Sequence, residues 1–183
     1  MALWVVLGVL VLLVLYAVAL YNGLVRRRVS AEEAWSDIDT QLKRRHDLIP
    51  NLVESVKGYA AHERGVFERV TEARSRAMAA TTPGQAAQAE GMLMQALRGL
   101  YAVAENYPDL KANQNFAALQ QSLGDTENAV SGSRRRYNGA VQDLNTRIET
   151  VPSNVVAGMF SFQKKEFFEL EDAAERKVPQ VRF

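Results

Sequence analysis

Residues Ala2–Val25 read ALWVVLGVLVLLVLYAVALYNGLV, carry no charged side chain, and stop at Arg26-Arg27-Arg28. A helix needs about 20 consecutive apolar residues to cross ~30 Å of hydrocarbon, and this run has enough. A helix also satisfies its own backbone polar groups, as lipid demands. Ala2, Leu3 and Trp4 stand at one end, Tyr16, Tyr21 and Val25 toward the other. Indole and phenol rings favour the two membrane interfaces. The stretch reads as one membrane-spanning helix, with a lipid bilayer as the first partner. Two rival readings fit less well. Ala17-Val18-Ala19 has the small-x-small pattern of a cleavage site, but no Lys or Arg precedes the apolar core and three arginines follow at once. A buried core helix normally keeps one polar face. The positive-inside rule then holds Arg26, Arg27 and Arg28 in the cytoplasm, with the N-terminus outside and the body cytoplasmic.

Outward from the span, composition limits what the body does. The chain has 183 residues, 22 basic and 21 acidic side chains, and a net charge of +1. That balance gives no bulk electrostatic reason to bind nucleic acid. There is no cysteine, so there is no disulfide, thiolate metal site or cysteine nucleophile. Pro is scarce and helix formers dominate the body, which favours helix throughout. The expected fold is all-α: one N-terminal transmembrane helix followed by a bundle of long antiparallel helices.

Ser30-Ala-Glu-Glu33 has a capping-box pattern. It either starts a new helix or lies within one helix continuous with the anchor. From Trp35 a heptad seam runs through Ile38, Leu42, Arg45, Ile49, Leu52, Val56, Tyr59, Glu63, Val66, Val70, Ala73 and Ala77, alternating steps of three and four. Such a seam predicts bundle or coiled-coil packing along one long first helix. Its two charged members either reach water over long stems or form a buried ion pair that fixes register. Pro50 lacks an amide and crowds the carbonyl of His46, so a kink near residues 46–50 is expected, with Asp47 able to cap a fresh helix. Thr82 and Pro83 carry the cap and first position of a second helix, whose face is Leu93, Leu97, Leu100, Ala104 and Tyr107. A third helix near Ala112–Thr150 presents Phe116, Leu119, Leu123, Val130, Tyr137, Val141, Leu144, Ile148 and Val151. Gly124, Gly132 and Gly139 weaken it or allow close helix approach. Pro152 ends it, and Ser153 can cap a shorter helix. The apolar end, Val178–Phe183, is expected to dock.

Several motifs together resemble the LemA family. They are Tyr21-Asn-Gly-Leu-Val25, Trp35-Ser-Asp-Ile-Asp39, Gln41-Leu-Lys-Arg-Arg45, Asp47-Leu-Ile-Pro-Asn-Leu-Val53, Val56-Lys-Gly-Tyr-Ala60, His62-Glu63, Tyr107-Pro-Asp-Leu-Lys-Ala-Asn113, Thr126-Glu-Asn128, Tyr137-Asn138 and Pro152-Ser-Asn154. The family's second Tyr-Asn and its Phe-Pro stand here as Leu144-Asn145 and Val151-Pro152, and both keep an apolar side chain. The resemblance covers nearly the whole chain. It implies a bacterial protein of the cytoplasmic (inner) membrane with one N-terminal span and a long helical cytoplasmic body. It implies no established reaction. Some relatives belong to the magnetosome-forming set and are tied to membrane compartments.

The residues themselves offer little chemistry. His62-Glu63 lacks a second histidine four residues on, and His46 lies about 24 Å away along one helix. Nothing makes Asp37, Asp39 and Asp47 converge, and no nucleophile elbow, phosphate loop or dinucleotide fingerprint occurs. Arg134-Arg135-Arg136 with Tyr137 reads either as a contact for nucleic acid or acidic lipid or, as such runs more often are, as a solvated helix face. No enzymatic activity, cofactor or metal is expected. The expected organisation is an anchor with its basic flank (1–28), a long-helix bundle (29–152), and a short C-terminal helix with a docking tail (153–183). If the second helix folds back at Thr82, it reaches only the level of Val56, leaving Trp35, Ile38, Leu42, Arg45 and Ile49 as an exposed stripe. Either the C-terminal segment returns to cover that stripe, or it is the candidate interface of a homo-oligomer. Val155, Met159, Phe160, Phe162, Phe167 and Phe168, around Lys164-Lys165, are the candidate lipid-touching or docking segment. The expected function is a membrane-anchored scaffold that self-associates and organises or shapes the membrane; the alternative is a monomeric tether that recruits another membrane or cytoplasmic protein.

Overall fold

The computed structural model describes residues 1–60 and 62–169. Among these the chain runs through α1 (Ala2–Lys57), α2 (Arg64–Met78), α3 (Pro83–Ala104), the single turn α4 (Pro108–Lys111), α5 (Gln114–Glu149) and α6 (Ser153–Met159), with no strand. The fold is all-α. The chain divides into two units, Met1–Ile38 with Ser133–Phe167, and Asp39–Gly132 with Phe168. Helices α1 and α5 contribute to both.

In the first unit the apolar N-terminal part of α1 is long enough to cross a bilayer, and as far as Ala19 it is exposed among the described residues. Full exposure removes the reading as a soluble core helix. The helix passes through Arg26–Arg28 and Ser30 without interruption, so Ser30 caps nothing and the span continues directly into the body. Leu24 is buried with Val156 and Ala157 of α6, and Leu20, Tyr21, Ile148 and Phe162 pack around them. Arg27 reaches Asp143 at 2.7 Å and Lys165 reaches Glu32 at 3.2 Å. Residues 163–167 are extended along α5, held by Asn145, whose side chain both donates to the Lys165 carbonyl and accepts from its amide, each at 2.9 Å.

The second unit is a bundle whose core runs from Ile49, Leu52 and Val56 of α1, through Val66 and Val70 of α2 and Leu93, Leu97 and Leu100 of α3, to Phe116 and Leu123 of α5. Its first corner differs from the expectation of one long first helix. α1 ends at Lys57, and the chain turns through Gly58–Glu63 into α2. Gly58 weakens the helix by about 1 kcal/mol relative to Ala, and the amides of Tyr59 and Ala60 both close on the Val56 carbonyl, tightening the last turn. The Tyr59 hydroxyl accepts from Asn113 at 3.2 Å. The heptad seam is therefore real but folded: Ile49, Leu52 and Val56 and then Val66, Val70, Ala73 and Ala77 belong to two antiparallel helices. Tyr59 and Glu63 lie in the turn between them.

Pro50 does not start a new helix either, since α1 continues through it. The carbonyl it leaves without an in-helix donor is that of His46. Arg74 Nε of α2 donates to that carbonyl at 2.7 Å. Thr82 caps α3 as expected, accepting from the Gln85 amide at 3.3 Å with Pro83 at the first position. Asn113 caps α5, its Oδ1 accepting from the amides of Asn115 and Phe116. Ser153 acts otherwise than expected. It makes no cap for α6; its hydroxyl donates back to the Arg147 and Thr150 carbonyls, satisfying the end of α5. An added Cβ at Gly124 or Gly139 meets nothing within 4 Å, so neither glycine marks a close helix approach.

If Arg74 stands in for the missing amide, its worth depends on Pro50. Pro50→Ala gives the His46 carbonyl a donor of its own. Arg74→Met is then expected to cost less stability than in the parent, with a coupling of about 0.5–3 kcal/mol in a double-mutant cycle. Equal costs in both backgrounds would show that the guanidinium makes no such substitution.

Candidate functional site

The polar centre of the bundle unit is built on a position where heptad logic asks for an apolar side chain. Arg45 of α1 is 1% exposed and pairs with Glu90 of α3, which is fully buried, and with Glu127 of α5. Its neighbour His46, also buried, meets the other Glu90 oxygen through Nε2 at 2.6 Å. Arg45 also contacts Met94 Sδ at 3.5 Å, while its Nε is buried without a hydrogen-bond partner. One guanidinium thus ties three helices together. A buried pair of this kind recovers its desolvation cost only with full hydrogen bonding. The fork of an arginine, with two ends on two carboxylates, comes closer to that than a lysine could.

Beside the cluster, a cavity of about 320 Å³ opens between α3 and α5, bounded by Arg45, Leu97, Tyr101, Leu123, Gly124 and Glu127. Burial raises the Tyr101 phenol above its ordinary pKa, so the wall presents a neutral hydroxyl. Both carboxylates are engaged by Arg45, and His46 is engaged by Glu90. The arrangement joins α1, α3 and α5 through charge-paired side chains, as a clasp.

In the first unit the polar centre is Tyr137 of α5. It is buried, its ring lies 5.3 Å from that of Trp35, and its hydroxyl donates to the Glu166 carbonyl at 2.8 Å. Burial, with the nearby Glu166 charge second, pushes its pKa up to about 12. Arg136 lies 3.5 Å from Asp37.

A model of the LemA family matches residues 34–183. The chain belongs to the LemA family. Magnetosome protein MamQ 2 of Paramagnetospirillum magneticum is 24% identical over 189 residues, covering 88% of this chain and 70% of that protein. Magnetosome protein MamQ of Magnetospirillum gryphiswaldense is 23% identical over the same shares. Protein LemA of Metamycoplasma hominis is 24% identical over 155 residues, covering 82% of this chain and 69% of that protein. Family membership and the exposed apolar helix together make this a membrane-anchored helical protein.

Within this LemA-family chain the sequence-derived sites fall unevenly. Ala2, Leu3, Trp4 and Tyr16 are exposed along the span, while Tyr21 and Val25 are half-buried. Arg26 and Arg28 are exposed, and Arg27 also donates to the Gly23 carbonyl. The proposed oligomer stripe is the main correction. Ile38, Leu42, Arg45 and Ile49 are all buried within their own chain, and Trp35 is half-buried. The exposed stripe was inferred from a first helix reaching Thr82. With the turn at Gly58–Glu63, α2 runs back along α1, and α3 starts at a level that sets Glu90 against Arg45. The lipid or docking segment divides: Phe168 is buried and Phe162 half-buried, whereas Val155, Met159, Phe160 and Phe167 are exposed. Val178–Phe183 lies outside the described residues.

Glu90 and Glu127 were missed, yet each leaves a trace. The face of α3 steps back from Leu97 and Leu93 by four and three, and the next seam position is Glu90. On α5, Leu123 and Val130 leave a seam gap that Glu127 fills. Charges at seam positions in three helices, of opposite sign, mark a buried network.

Glu90→Gln leaves a buried guanidinium short of charge and is expected to cost about 3–5 kcal/mol. Arg45→Met with Glu90→Leu is expected to recover most of that loss, read as midpoints of chemical unfolding of the detergent-solubilised protein. Additive losses in the double variant would contradict the clasp. Tyr137 gives a pH signature. Its pKa is higher folded than unfolded, so the stability it contributes is complete below pH 10 and disappears as pH rises through about 12. Tyr137→Phe is expected to flatten the stability profile in that window; an unchanged slope there would place the phenol in water.

Proposed function

We propose that this chain is a membrane-anchored helical scaffold of the bacterial inner membrane that self-associates, with its body in the cytoplasm, and that it performs no enzymatic reaction. The observation that carries this reading is the absence of a linker after the span. α1 continues from Ala2 through the arginines to Ile38 inside one unit, and α6 packs on its Leu20–Leu24 turn. A recruiter on a flexible tether would be joined to its span by a linker; here the unit that holds the span is built directly on it. Arg26 and Arg28 at the end of the apolar run support the cytoplasmic orientation. The likeness to proteins named for the magnetosome supports work on a membrane structure. Copies in one bilayer share one orientation, which favours assembly about an axis normal to the membrane.

A specific observation favours a second reading. Burial of Ile38, Leu42 and Ile49 withdraws the surface through which copies were expected to join. Self-association then rests on the span or on the outer helix faces, and a monomeric adaptor needs neither. The mass of full-length protein extracted with native lipid separates the two. A particle holding several copies is expected; one copy per particle would replace the scaffold with the adaptor.

A further inference from the structure

α6 lies beside the last apolar turn of the span. Its inner side gives Val156 and Ala157 to Leu24. Its other side is apolar too, and open. Val155 is 61%, Met159 74% and Phe160 57% exposed, and Val151, four residues before Val155, is 80% exposed. Val155 and Met159 are one helical turn apart on α6, Phe160 adjoins them, and Val151 is exposed in the turn that leads into the helix, so four large apolar side chains within ten residues are open. Exposed apolar area of this density marks an interaction surface.

The local backbone puts that patch where it is. α6 ends in a Schellman motif: the Phe162 amide bonds to the Ala157 carbonyl at 2.9 Å and the Ser161 amide to that of Gly158 at 3.2 Å. Ser161 takes the left-handed position, φ 53°, at some cost for a residue with a Cβ. The turn sends Phe162 inward onto the Leu24 cluster and leaves Phe160 outside. Phe160 and Phe162 flank Tyr21, with ring centroids at 4.7 and 5.8 Å. Arg28 lies over the Phe162 ring at 5.3 Å.

Height decides the occupant. The apolar run from Ala2 to Val25 is roughly 36 Å long at 1.5 Å per residue, against ~30 Å of hydrocarbon. Its last turn, with Tyr21, therefore sits at the polar boundary of the bilayer, and α6 is fastened to that turn. Apart from Phe160, which also touches Tyr21, the patch is open, and Arg28 lies beside it over the Phe162 ring. Apolar side chains bordered by a cation at this depth match an interfacial membrane contact.

We infer that Val151, Val155, Met159 and Phe160 are immersed in the interfacial layer of the same bilayer that α1 spans, so that the chain grips the membrane twice, by a span and by an elbow. This rests on the reading of α1 as a span and is independent of whether the protein scaffolds or recruits.

The chain has no cysteine, so single spin labels can be placed without background. Val155→Cys, Met159→Cys, Leu12→Cys and Gln142→Cys, all at exposed positions, are made in full-length protein and reconstituted in bilayers of phosphatidylethanolamine and phosphatidylglycerol. Accessibility to oxygen against a water-soluble nickel chelate gives depth. The expected order is Leu12 deepest, Val155 and Met159 intermediate with oxygen favoured, and Gln142 in water. Labels at Val155 and Met159 as open to the chelate as Gln142 would overturn the elbow while leaving the span intact. Labels there shielded from both reagents would overturn it in favour of a protein partner or a second copy. A chelate-accessible Leu12 would overturn the span and the elbow with it.

Discussion

Helix α1 has to satisfy two media with one backbone. As far as Ala19 its side chains are apolar or aromatic and exposed; from Leu20 onward one face packs against protein. The boundary between the media is therefore written into a single rigid element. Lipid tolerates only backbone whose hydrogen bonds are closed internally, and the continuous helix meets that condition without a break at Arg26–Arg28. The membrane-proximal unit follows from this. α6 and the Phe160–Phe162 turn assemble on the boundary, and the extended segment behind them is fastened to α5 by Asn145 and Tyr137.

In the bundle unit the apolar core supplies cohesion, but periodicity alone leaves its register open. Leucines and valines repeating at three and four pack almost equally well one turn up or down. The Arg45 clasp removes that freedom, because sliding α3 or α5 by a turn would strand a guanidinium in a dry interior. Breaking such a pair is far more costly than its net gain when made, and that asymmetry is what register selection needs.

Much of this was legible from residue types. The span, the all-α class, the Thr82-Pro83 start of α3 and the long third helix followed from apolar run length and from capping chemistry. The turn at Gly58–Glu63 was not legible, for a physical reason. The seam residues Val56, Tyr59, Glu63 and Val66 keep heptad spacing across the turn, so a straight helix and a helical hairpin present the same pattern. Arg45 had two readings in sequence, and burial selects the ion pair. Its partners escaped because a glutamate on a helix surface is ordinary until its place in the seam is counted. The stripe at Ile38–Ile49 was misassigned by a length argument that inherited the wrong corner. Ser153 shows a subtler failure: a hydroxyl next to a helix start serves the helix behind it equally well.

The contact between Arg74 and the His46 carbonyl has a consequence for the order in which the chain is made. Anchor and first helix leave the ribosome before α2. Until residue 74 has emerged and docked, the turn ahead of Pro50 lacks both its in-helix donor and the guanidinium that replaces it. That turn is therefore the weak link of the nascent helix, and its completion waits on the hairpin. In the nascent chain water takes that carbonyl, and docking of α2 exchanges the water for the guanidinium, so the bond that proline removes from the first helix is restored by tertiary structure.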